Sequence, residues 1–200
     1  MALKLGVFAK APVPGQSKSR LAASIGEGAA AALAEAFIED VVRSALPHAE
    51  VTLFVTDEHP VFTRLGREVE VRPQSEGDLG RRMHVALEAL NGGALIGSDV
   101  VALPPRILHA AAAEAGPSFS PSGDGGFVLV SGRPNFADVR WSSPHTLSDT
   151  LARNPHATLL EPWFDVDTRD DLRLLATVLA LDPTRAPRTA ELLAGGVLGA

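Results

Sequence analysis

The 200-residue chain contains no cysteine. Disulfides, thiolate metal ligands and cysteine nucleophiles are excluded, which fits a reducing compartment. Long apolar runs are missing as well, and nothing approaches the ~20 residues that a membrane-spanning helix needs. The first apolar stretch, up to Ala9, is too short for a secretory signal core. The expectation is a cytoplasmic protein with no membrane partner. A basic excess is also absent. Eighteen Lys and Arg face 24 Asp and Glu, for a formal net charge of −6. Without a broad basic surface the chain is not expected to bind nucleic acid.

What is there reads as one globular domain with a real core, at 46% hydrophobic and 21% charged residues. Leu3–Ala9 and Val51–Val55 are short apolar runs that stop at turn-forming residues, and Gly93–Gly97 is a third. Each predicts a buried strand. Val69–Val71 and Thr158–Leu160 predict weaker strands, and residues 119–130 predict a hairpin around Ser122-Gly-Asp-Gly-Gly126. Between them, apolar residues recur at helical spacing: Leu33, Phe37, Ile38, Val41 and Val42, then Leu79, Met83, Ala86 and Leu87, then Leu172, Leu175 and Leu179. Ser24 with Glu27 predicts a capping box for the first of these helices, and Thr168 with Asp171 one for the last. Strands alternating with helices predict an α/β fold, a mostly parallel sheet covered on both faces. The domain is expected over residues 1–182, followed by a tail, 183–200, that forms at most a short packed helix.

In such sheets ligands bind beyond the carboxyl ends of the strands, so the polar residues there are the candidates. Lys10, Lys18 and Arg20 crowd the loop after the first strand, with Pro12, Pro14 and Gly15 to shape it. Cations around free backbone amides suit a phosphate, although the loop is neither a Walker A nor a GxGxxG motif. Ser98-Asp99 follows the strand ending at Gly97. Asp165 and Asp167 lie two apart, so on extended chain they point the same way. Capping accounts for Thr168 and Asp171 but leaves Asp165 unexplained. Three acids from two strand ends facing a cationic loop suit a metal-bound polyphosphate. Asp124-Gly125-Gly126 fits either a hairpin turn or a ligand that approaches the backbone closely. Trp141 suits packing or a pocket rim. Of the six histidines, which show no metal-ligand spacing, only His145 suits an acceptor site. No G-x-S-x-G elbow is present.

FAKAPVPGQSKSRL, GDLGRRM, LIGSD, PSGDGGFVLV and DVDTRDDL, in that order over about residues 4–175, resemble a bacterial family of glycosyltransferase-like proteins sometimes linked to arsenosugar biosynthesis. That family is similar to the nucleotide-diphospho-sugar transferases of GT-A fold, and to the 2-phospholactate and phosphoenolpyruvate guanylyltransferases. The resemblance implies a single-domain, three-layer Rossmann-like sandwich. It implies a nucleotide pocket lined by Phe8, Ala9, Lys10, Pro12, Gly15, Lys18, Arg20, Gly77, Asp78, Gly80, Arg81 and Ser98. Asp124, Gly125, Gly126 and Trp141 would line the acceptor side. Asp99, Asp165 and Asp167 would hold Mg2+ or Mn2+, and Lys18, Arg20 and Asp99 would carry the catalysis. Four residues depart from the family pattern: Ser19 stands where threonine is usual, Val100-Val101 where Cys-Pro or a similar pair is, and Phe127 where tyrosine often is.

The expected activity is nucleotidyl transfer from a nucleoside triphosphate to a small anionic acceptor with release of pyrophosphate. Glycosyl transfer from a nucleotide-sugar, and nucleotide binding without turnover, are the alternatives. Oligomeric state, monomer or homodimer, stays open, with the apolar tail 192–198 a surface that would suit a partner.

Overall fold

The computed structural model describes residues 2–197. Its chain order is β1 (Leu3–Ala9), α1 (Ser19–Ile25), α2 (Glu27–Ala45), β2 (Ala49–Val55), α3 (Pro60–Leu65), β3 (Glu70–Pro73), α4 (Leu79–Ala89), β4 (Ala94–Gly97), α5 (Pro105–Ala113), β5 (Ser118–Pro121), β6 (Phe127–Ser131), α6 (Thr146–Arg153), β7 (Thr158–Leu159), α7 (Arg169–Leu181) and α8 (Pro187–Ala194). The seven strands form one sheet in the order β3-β2-β1-β4-β6-β5-β7. β1 pairs in parallel with both β2 and β4, and β2 with β3. Only β6 runs against its neighbours, β4 and β5. The sheet is therefore mostly parallel, as the alternating pattern predicts.

Period-two alternation along the strands splits the core in two. Leu5, Val7, Leu53, Ala94 and Ile96 face the side covered by α2, α3, α5 and α7, whose Phe37, Ile38, Leu65, Ile107 and Leu175 complete that layer. Phe54, Leu95, Phe119 and Val130 face the other side, under Met83, Leu87 and Leu90. The result is a three-layer sandwich with most of the helical residues on one face.

Two local expectations are revised. Ser24 caps nothing: it lies within α1, and α2 starts at Glu27 after Gly26, whose φ of 86° separates the helices. The chain turns there through a glycine in the left-handed region, not through a hydroxyl cap. At the other end, Thr168 and Asp171 do form a reciprocal capping box on α7. The tail folds back on its own domain. Asp40 of α2 accepts from the Thr189 N–H (2.8 Å), the Thr189 hydroxyl (2.7 Å) and the Arg188 N–H (3.2 Å) at the start of α8. Leu192, Leu193 and Val197 pack on the larger core. Leu198, the end of the stretch expected to suit a partner, lies outside the described residues.

Candidate active site

β1 sits between β2 and β4 in the sheet although it precedes both in sequence. The connections leave it in opposite directions, so a crevice opens at its carboxyl end. The loop after β1 and the turn after β4 meet there, joined by the Ser98 N–H donating to the Phe8 carbonyl at 2.9 Å.

Lys18 begins α1 with φ 51° and ψ 47°, left-handed values that are uncommon outside glycine and tend to accumulate at functional sites. The conformation aims its side chain back across the crevice. Its ammonium donates to Asp99 Oδ2 and to Asp167 Oδ1, both at 2.6 Å, and the side chain is only 13% exposed. Burial works against the Lys18 charge, but the Asp99 and Asp167 carboxylates outweigh it and raise its pKa above the usual lysine value.

Asp99, Asp165 and Asp167 each bring a carboxylate oxygen within 4.8 Å of the others. The Val166 N–H donates to the Asp99 carbonyl at 3.1 Å, and Val166 itself is fully buried, so the two acid-bearing segments are tied by backbone. Gly97 leaves the room: a Cβ there would meet Asp99 Oδ1. Behind the acids, the Trp163 indole donates to the Val101 carbonyl at 3.2 Å and the Arg185 guanidinium stacks over the indole at 5.3 Å. Burial, then the Asp99 and Asp167 charges, push the Asp165 carboxyl up to about 6. Clustered hard oxygen donors of this kind fit a magnesium- or manganese-like ion.

Two cavities flank this centre and share Phe8, Leu79, Gly97, Asp99 and Asp167. The first, about 520 Å3, is lined on one side by Ala9, Lys10, Lys18, Arg20 and Ser98 and on the other by Thr56, Gln74 and Arg82. The Lys10 ammonium closes its own loop on the Gln16 carbonyl at 2.8 Å, and Arg20 is exposed. The second, about 400 Å3, has Asp124, Gly126, Phe127, Trp141 and Asp165 in its wall. Burial raises the Asp124 pKa, but hydrogen bonds from Ser122 and the Gly126 N–H, with the Arg20 charge, more than offset that and hold it below the ordinary value. Gly125, at φ 87°, packs so closely on the Pro144 backbone that no side chain fits.

The structure thus gathers Lys18, Asp99, Asp165 and Asp167 at one point, with Phe8, Ala9, Lys10, Arg20 and Ser98 on one flank and Asp124, Gly126 and Trp141 on the other. It places other expected residues differently. Pro12 and Gly15 shape the loop away from the first cavity wall. Asp78 caps α4 by accepting from the Arg81 N–H at 2.8 Å. Arg81 is exposed, its stem against Gly77, and Gly80 lies beneath the Trp141 ring. Arg82, the next residue, lines the cavity instead. His145 is exposed outside both cavities, at the start of α6. Thr56 and Gln74 line the first cavity as well, though neither is among the residues the sequence singles out. Thr56 and Gln74 directly follow β2 and β3, so the strand-end rule that singled out Asp99 would have found them.

The chain has no match among curated proteins. Among solved structures it is similar to a provisionally assigned nucleotide-diphospho-sugar transferase from Desulfovibrio desulfuricans G20, with 24% identity, a TM-score of 0.85 and coverage of 99% of this chain and 97% of that one. It is similar to CMP:2-keto-3-deoxy-manno-octonic acid synthetase in complex with CTP, at 13% identity, TM-score 0.56 and coverage of 91% and 100%. A cytidylyltransferase from Leptospira borgpetersenii serovar Hardjo-bovis gives 12% identity, TM-score 0.58 and coverage of 98% and 94%. These likenesses establish the nucleotide-diphospho-sugar transferase-like Rossmann fold. Residues 29–143, which carry Asp99, Asp124 and Arg82, match a sequence family described as uncharacterized protein conserved in bacteria, and the chain belongs to that family, DUF2064.

Proposed function

We propose that this protein is a metal-dependent transferase acting on a nucleotide-activated donor, by nucleotidyl transfer from a nucleoside triphosphate to a small anionic acceptor. The observation that carries the reading is the Lys18 ammonium held between Asp99 and Asp167 at the mouth of a cavity lined by Lys10 and Arg20. Carboxylates that need a cation and cations that need an anion face each other across one crevice. A metal-bound polyphosphate satisfies both sets. The CTP complex and the cytidylyltransferase among the similar folds agree with it.

Asp99, Asp165 and Asp167 would hold the ion. When bound, a divalent ion supplies Lewis-acid stabilisation of phosphate charge. The chain's own groups do the rest. Lys10, Lys18 and Arg20 bind and align the phosphates, and alignment with charge neutralisation is most of what such chemistry requires. Lys18 leaves its carboxylates to reach the donor. Asp124 and Trp141 border the space for the acceptor, whose own anionic group attacks the α-phosphorus, so no side chain must take a proton. The bond from the α-phosphorus to its bridging oxygen breaks, and pyrophosphate leaves.

Glycosyl transfer is the second reading, favoured by the nucleotide-diphospho-sugar transferase fold with a TM-score of 0.85. Product analysis separates the two. With a panel of triphosphates, nucleotide-sugars and anionic acceptors, nucleotidyl transfer releases pyrophosphate, whereas glycosyl transfer releases nucleoside diphosphate. Loss of either product in Asp99→Ala supports the site. Nucleotide binding without any turnover would point to a non-catalytic binding protein.

A further inference from the structure

Arg82 is a cation without an anion. It projects from α4 into the wall of the first cavity, and none of the ion pairs among the described residues includes it. Of its five N–H donors, one has a protein acceptor: Nη1 donates to Gln74 Oε1 at 3.2 Å. Its Nε is buried with no partner. Arg82 as a whole is half-buried, and a guanidinium with one N–H buried and unmatched and the rest turned to a cavity is costly unless something completes it.

Gln74 fixes where that something must sit. Its amide nitrogen donates to the Phe54 carbonyl at 3.0 Å and reaches the Ala9 carbonyl at 3.4 Å, which turns Oε1 toward Arg82. The amide orientation is therefore set by two backbone acceptors, and the guanidinium by the amide. This assembly covers the carboxyl ends of β1 and β2, whereas Asp99 follows β4 on the other side of β1. With strands ~4.8 Å apart, Gln74 and the Arg82 it holds sit one to two strands over from the carboxylates, toward the β2 end of the cavity. Thr56 and Leu79 line the same cavity.

We propose that Arg82, positioned by Gln74, reads the base of the bound nucleotide and selects one that presents two adjacent acceptors. Guanine offers O6 and N7, and cytosine offers O2 and N3. Adenine offers an amino donor beside N7, and uracil interrupts its carbonyls with an N–H. A guanidinium fork pairs with two adjacent acceptors and is left unmatched by the other patterns. The inference rests on the nucleotide-binding reading above and adds to it a class of base and the residue that chooses it.

The test is calorimetric binding of GTP, CTP, ATP and UTP with Mg2+ to the wild type, Arg82→Met and Arg82→Lys, together with 7-deaza-GTP and 3-deaza-CTP, each lacking one of the two acceptors. Wild type is expected to prefer GTP or CTP over ATP and UTP by roughly 5- to 100-fold. The matching deaza analogue should lose most of that preference. Arg82→Met should bring the four triphosphates within about threefold of one another, and Arg82→Lys, with no fork, should not restore the preference. A wild-type preference for ATP or UTP overturns the proposal. So does full binding of both deaza analogues, which needs no variant to fold, or an equal loss of all four triphosphates in a folded Arg82→Met. Those results leave nucleotide binding intact, whereas no binding of any triphosphate to wild type sinks the functional reading itself.

Discussion

Lys18 is bonded to side chains 81 and 149 positions away in sequence, and it fills with its own charge the place where a metal would sit. A metal must displace it. In the nucleotide-free protein, Lys18→Met should therefore bind Mn2+ more tightly than wild type while binding triphosphates more weakly. Titration followed by electron paramagnetic resonance reads the first effect, and unchanged Mn2+ affinity would separate the lysine from the metal site. By analogy with other preorganised charge stabilisers, turnover should fall on the order of 10²–10³-fold. Asp165 gives a second expectation. Its folded pKa, about 6, lies above that of an ordinary aspartate, so the folded state holds this proton more tightly than the unfolded one. Stability of the metal-free protein then falls as pH rises from about 4 to about 6 and is level above that. Asp165→Asn should remove that slope and, after allowing for solvent screening of a group that is partly exposed, raise stability at pH 7.5 by about 1 kcal/mol. Urea midpoints at pH 4.5 and 7.5 in chelator-treated protein check it.

Among the elements, α8 depends on a residue far from it. Asp40 supplies the carboxylate that caps α8, with three donors from Arg188 and Thr189 converging on it. Asp40→Ala leaves the buried Thr189 N–H and hydroxyl, and the part-buried Arg188 N–H, unpaired and should cost about 1–3 kcal/mol. The urea midpoint should drop, and the Asp40→Asn variant, which keeps an acceptor oxygen, should recover part of it. The elements are also where sequence and structure can be compared most closely. β1 is legible to the residue because an apolar run ends abruptly at a proline-rich loop. α7 is legible because its capping box is local. The Ser24–Glu27 motif misleads because a capping pattern specifies hydrogen-bonding capacity and not chain direction, and Gly26 takes the turn instead. Asp99 is legible as a strand-end acid, and Asp165 and Asp167 as alternate residues of extended chain ahead of a capped helix although no strand forms there, but their meeting is a property of the tertiary fold, which no local pattern contains. Arg81 and Arg82 are adjacent, and only the phase of α4 decides that Arg82 is the one facing the cavity.

At the scale of the whole molecule, the sheet brings a cationic loop and an acidic centre to one edge of a protein whose net charge is −6. Long-range steering by the overall field does not favour an anionic ligand, so selectivity rests on the local site. A triphosphate at 100 times its Kd should stabilise the fold by about 2.7 kcal/mol, which for a domain of this size is roughly 5–10 °C in Tm. The shift should require Mg2+ or Mn2+ and vanish in Asp99→Ala. A shift of equal size without metal would disconnect the acids from the nucleotide. No helix among the described residues is long and apolar enough to cross a membrane.

The backbone bond from Val166 to the Asp99 carbonyl also sets an order of events during synthesis. Lys18 and Asp99 are made first, and translation at 5–20 residues per second takes roughly 3–13 s more to reach Asp165. Until then the lysine has one acid partner and the crevice has no second wall. A truncated product that ended before Asp165 would keep all of residues 29–143, the part by which the family is recognised, yet lack two of the three acids. Such a fragment would carry the family's signature without the centre that completes it.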